Sequence, residues 1–61
     1  MKFYAYVPTK EGREPVGGDR KLIFELKTVA GAHKRARSVL GARYRLFTYT
    51  NFYRESTFRK V

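Results

Sequence analysis

Hydrophobic and polar positions alternate with period two from Lys2 to Val7, with Phe3, Ala5 and Val7 on one side and Tyr4 and Tyr6 on the other. Alternation among aromatic and β-branched residues marks a strand, and Pro8 ends it. The same pattern returns from Arg20 to Lys27, placing Leu22, Phe24 and Leu26 on one face and Lys21, Ile23 and Glu25 on the other. Between them, Thr9 to Asp19 (TKEGREPVGGD) carries glycines and a proline among charges, which predicts a mobile hairpin loop joining two antiparallel strands. From Thr28 to Gly41 the period changes. Val29, Ala32, Ala36, Val39 and Leu40 recur at helical spacing, Thr28 is suited to cap the amino end, and Gly41 suits the left-handed position past the carboxyl end. Gly31 weakens the first turn, by about 1 kcal/mol relative to alanine. Alternation resumes from Arg43 to Thr50, and a turn at Asn51 to Arg54, without Gly or Pro, leads to a short last strand from Ser56 to Lys60.

The order β-β-α-β-β predicts a small α+β domain spanning 1–61. Its antiparallel sheet has three to four strands, with one helix packed on one face. A helix of this length is marginal alone in water and must bury its apolar stripe. The best sheet face for that carries Phe3, Ala5, Val7, Leu22, Phe24 and Leu26, completed by Leu46 and Phe58. Tyr4, Tyr6, Ile23, Arg43, Arg45, Phe47 and Tyr49 are then left on the opposite face. A chain of this size buries only about 60% of the surface its unfolded form exposes, so one sheet-plus-helix core is all that is expected. No internal repeat, linker or low-complexity segment interrupts it.

Charge changes the picture more than composition does. Up to Leu26, five basic residues face four acids. From Lys27 to Val61 there are nine basic residues and one acid, Glu55, so the net charge of +9 divides as +1 and +8. A surplus on that scale destabilises a compact state and attracts polyanions. Six aromatics, Tyr44, Phe47, Tyr49, Phe52, Tyr53 and Phe58, share the basic stretch, a mixture that points to nucleic acid, DNA or RNA. Two surfaces are candidates. The outer helix face carries Lys34, Arg35 and Arg37, extended by Arg43, and residues 26 to 54 contain no acid to neutralise it. The sheet face away from the helix offers Tyr4, Tyr6, Phe47 and Tyr49 beside Arg45, where rings stack bases and guanidinium groups meet phosphates, with Arg54 following in the next turn. The competing readings are a solvated helix face and aromatic residues that pack on one another across strands.

Catalysis is not expected. His33 stands alone at the edge of the apolar stripe, without a second histidine or an orienting acid, so an RNA-cleaving centre built on His33 and Arg37 lacks its positioning groups. Ser38 and Ser56 have no visible base, and four of the five acids lie in or beside the first hairpin. Gly12, Gly17 and Gly18 lack the Gly-Lys-Ser/Thr context of a phosphate-binding loop and precede a strand, though Lys10 and Arg13 could ride the loop as an arm. With no cysteine, disulfides and thiolate metal sites are excluded, and no cofactor is implied. The amino-terminal stretch lacks a signal-peptide apolar region, and no run is long enough to span a bilayer, so a cytoplasmic protein with no membrane partner is expected. The expected function is that of a small basic nucleic-acid-binding protein, of the accessory kind that phages, plasmids or bacteria encode. The alternatives are a module that binds an acidic partner protein and a homodimer formed through exposed aromatic strands.

Overall fold

The two amino-terminal runs of alternation form β1 (Lys2–Tyr6) and β2 (Lys21–Glu25) in a computed structural model that describes residues 1–61. They pair antiparallel, with Phe3 opposite Phe24 and Ala5 opposite Leu22. The helix α1 (Val29–Leu40) follows, then β3 (Arg45–Tyr49), a single 3-10 turn at Glu55–Thr57, and β4 (Arg59–Lys60). The strands form one antiparallel sheet in the order β2-β1-β3-β4, with α1 on one face. This is the α+β, β-β-α-β-β arrangement that the periodicity predicts.

The helix begins and ends where its capping residues dictate. Thr28 Oγ1 accepts a hydrogen bond from the Gly31 N–H at 3.1 Å, satisfying one of the unpaired donors of the first turn. That contact also explains Gly31: a Cβ there would sit 3.0 Å from the same oxygen, so the residue that weakens the helix by propensity leaves room for its cap. At the other end Gly41 adopts φ 86° and donates its N–H to the Arg37 carbonyl, a conformation that a side chain would strain.

Ala32 and Ala36 are fully buried against Phe3, Ala5 and Leu46, with Phe24, Leu26, Leu40, Tyr44 and Val61 packed around them. Two alanines at the centre of the stripe let the helix lie close on the sheet, and that narrows what it can bury. Val39, expected in the stripe, is 56% exposed, and Val29 is also exposed. Phe58 is a clearer departure. Expected under the helix, it lies on the opposite face against Tyr4, Tyr49 and Phe52. The cause is register. Lys60 pairs with Phe47, so Phe58, two residues earlier, shares the outer face, and Val61 fills the inner position with its N–H on the Leu46 carbonyl; a slip of one residue exchanges the faces. The expected strand from Ser56 is correspondingly shortened to Arg59–Lys60. Arg43 is likewise not on the sheet face but in the turn between α1 and β3.

The turn after β3 works without Gly or Pro because Asn51 and Thr57 supply its hydrogen bonds. Asn51 Oδ1 accepts from the Tyr53 N–H, and the Thr57 hydroxyl oxygen accepts from the Asn51 N–H while lying 2.8 Å from the Arg54 carbonyl oxygen. This turn swings residues 51–58 back over the outer face of the sheet.

Candidate functional site

Alternation sends Tyr4, Tyr6, Phe47 and Tyr49 to the face away from the helix, as expected, but that face is not an open platform. Tyr4 is 5% and Tyr6 8% exposed. The Tyr4 ring meets the edges of Phe52 and Phe58 at about 6 Å; Tyr49 stacks on Phe58 at 5.0 Å, and Tyr6 lies nearly parallel to Phe47 at 5.8 Å. These pairs form a second apolar layer. The long hairpin loop closes the other side of it. Tyr4 donates its hydroxyl to Glu14, Glu14 pairs with Lys21 at 3.3 Å, and Arg45 reaches the Gly12 carbonyl. The hairpin loop, expected to be mobile, is therefore folded back on the sheet.

The Tyr4 phenol pKa lies well above the ordinary tyrosine value, first because it is buried, then because its hydrogen bond and the charge of Glu14 favour the neutral form. The folded state thus holds a proton that the unfolded chain releases near pH 10. This contribution to stability is fully present below about pH 10 and is lost as pH climbs from there toward the higher folded value. In an alkaline absorbance titration, one of the five tyrosines is expected to ionise only as the protein unfolds, and Tyr4→Phe to remove that late phase. A titration that Tyr4→Phe leaves without loss of a late phase would contradict this placement of Tyr4.

Between the loop and residues 51–58 the outer layer leaves a cleft of about 390 Å³. Six rings line it, from Tyr4, Tyr6, Phe47, Phe52, Tyr53 and Phe58, together with Glu14 and Glu55. Phe52 and Tyr53, at its mouth, are 44% and 94% exposed.

The basic residues gather elsewhere. Lys21 and Arg45 both lie opposite Tyr6, so β1 ends at the edge where β2 and β3 begin, and α1 ends there too. That edge collects Lys10, Arg20, Arg37, Arg43 and Arg45, all exposed. A cleft of about 410 Å³ opens at it, lined by Val7, Pro8, Thr9, Lys10, Pro15, Arg20 and Arg43, and no acid contributes to its walls. Fourteen basic side chains share a single ion pair, Lys21 with Glu14. Cations left this free form a field that an anionic ligand can neutralise.

Lys34, Arg35 and Arg37 stand exposed on the outer helix face, and Arg43 and Arg45 continue from Arg37 along the edge. Arg54 is exposed but sits beyond the other end of β3, away from this group. Phe47 and Tyr49 are half-buried in the second layer. Lys10 and Arg20 escape a charge count because Glu11, Glu14 and Asp19 neutralise them along the chain; the fold turns Glu14 onto the sheet and leaves the cations at the edge. His33 Nδ1 lies 2.7 Å from the Tyr44 hydroxyl, tying the helix to the entry of β3. No three His, Asp or Glu side chains gather where they could hold a metal ion, and no helix is long and apolar enough to cross a membrane. Compared with known proteins, the chain matches no family model, no curated protein and no solved structure.

Proposed function

We propose that this is a small non-enzymatic nucleic-acid-binding protein, holding phosphates along the edge where β1 and α1 end and along the outer helix face. The observation that carries the reading is the single ion pair among fourteen basic side chains, with an acid-free cleft joining Lys10, Arg20 and Arg43. An ordinary solvated surface intersperses acids among its cations and gains little from either. Here the self-repulsion of the basic half has no internal relief, and condensed phosphates would supply it, releasing their counterions. The charged ends of β2 and the brevity of β4 weigh against self-association by edge pairing.

Binding is expected to single- or double-stranded DNA or RNA in a mobility-shift assay at low salt, weakening steeply as salt rises. For about four duplex phosphates neutralised, log K should fall with log salt at a slope of about −3.6. Absence of any shift at about 50 mM salt, where counterion release strongly favours binding, would overturn the proposal. An acidic protein is the alternative partner for the same cations, favoured only in that event.

A further inference from the structure

The aromatic cleft has a feature that folding alone does not require. Glu55 is the sole acid among residues 27 to 61, and it stands at a wall of rings with no ion pair and no hydrogen bond to its carboxylate. Glu14, across the cleft, is already engaged by Tyr4 and Lys21. The cleft therefore offers one free carboxylate as an acceptor and several ring faces for stacking, Phe52 and Tyr53 at its mouth among them.

A simple organic cation would match that carboxylate locally, but a net charge of +9 repels it at long range. A nucleobase is neutral, stacks on rings, and arrives attached to phosphates that the same field attracts. The two clefts are also neighbours along the chain. Tyr6 and Glu14 line the aromatic one, and Val7 and Pro15, the next residues in each case, line the cationic one. The backbone of a single strand held at the cationic cleft can continue around the end of β1, where these paired residues lie, and present a base to the rings. The aromatic cleft, at about 390 Å³, is of the size that small-molecule sites have, about 300–1,000 Å³.

Resting on the nucleic-acid reading above, we infer that this cleft takes an unpaired guanine from a single strand. Guanine presents N1–H and N2–H side by side, and the Glu55 carboxylate, with two acceptor oxygens, accepts both. Uracil offers one such donor flanked by carbonyl oxygens, which a carboxylate repels. The cleft thus adds base preference to a surface that otherwise reads only phosphate.

The test compares the RNA pentamers UUGUU and UUUUU by tyrosine fluorescence quenching, a clean signal in a chain without tryptophan. UUGUU is expected to bind about 5- to 100-fold more tightly, the range that one bidentate base contact supplies. Glu55→Gln should erase the difference from both sides, weakening UUGUU and, by removing the charge that repels uracil, modestly strengthening UUUUU; the fold should hold, since Glu55 is exposed and makes no ion pair through its side chain. Tyr53→Ala, which removes an exposed stacking ring, should weaken UUGUU more than UUUUU. Equal binding of the two pentamers by the unaltered protein overturns the guanine site and leaves phosphate binding standing. A guanine preference that survives Glu55→Gln intact also overturns it. Failure of both pentamers and of longer duplexes to bind at low salt removes the nucleic-acid reading itself.

Discussion

Phe3→Ala is expected to lower stability by about 3–5 kcal/mol, the cost of emptying a buried phenylalanine site. Phe3 is the largest side chain with no exposure at all, stacked on Phe24 at 5.4 Å and packed in the cluster of Ala32, Ala36 and Leu46. The alanines that bring the helix close leave no side chain long enough to refill the space. A domain of this length has a total stability of only about 3–9 kcal/mol, so the variant should lose about half of it or more. Phe52→Ala gives the comparison. Phe52 is nearly half exposed and belongs to the outer layer, so its loss should cost far less. Circular dichroism with thermal and urea unfolding reads both. An unfolding midpoint for Phe3→Ala within about 5 °C of the unaltered protein, a shift that corresponds to roughly 1 kcal/mol, would mean that the core is elsewhere.

Lys10, Arg20 and Arg43 changed together to Gln should weaken duplex binding by about 500-fold at 0.1 M salt if each touches a phosphate, and reduce the salt slope by about 2.7. All three are exposed, and the Arg20 contact that matters to the sheet is its backbone carbonyl, which accepts from the Val7 N–H. The fold should survive. Loss of three charges weakens any electrostatic association, so the informative control is Lys2, Lys27 and Lys60 to Gln. Those are exposed too, but Lys2 and Lys27 lie at the opposite edge and Lys60 on β4. The control removes the same charge and should change the slope by much less. Equal losses in the two triple variants would place binding in the diffuse field of the molecule rather than at the edge.

The inner half of this fold is plain in the sequence. Period-two runs in β1, β2 and β3 and the caps Thr28 and Gly41 locate every element that the helix packs on, because local sterics and one buried face decide them. The outer half is not. Phe58 belongs to the outer aromatic layer because Leu46 bonds to Val61 across the β3–β4 pair, a long-range register that alternation within five residues does not encode. Burial of Tyr4 is likewise not local, since the segment that brings Phe52 and Phe58 against it turns on side-chain hydrogen bonds of Asn51 and Thr57 rather than on Gly or Pro. The candidate cations divide in a similar way. Lys34, Arg35 and Arg37 are legible from helical spacing without acids. Lys10 and Arg20 are hidden by the acids of the same loop, of which the fold turns Glu14 onto the sheet.

The central claim is that phosphates settle at the edge where β1 and α1 end. Amide chemical-shift mapping in ¹⁵N-labelled protein, titrated with a short duplex at low salt, tests it most directly. The largest changes are expected at Thr9, Lys10, Arg20, Arg37 and Arg43, fading as salt is added, with Lys2, Glu25 and Lys27 at the opposite edge still. Changes centred on that opposite edge, or none anywhere on the molecule, would contradict it.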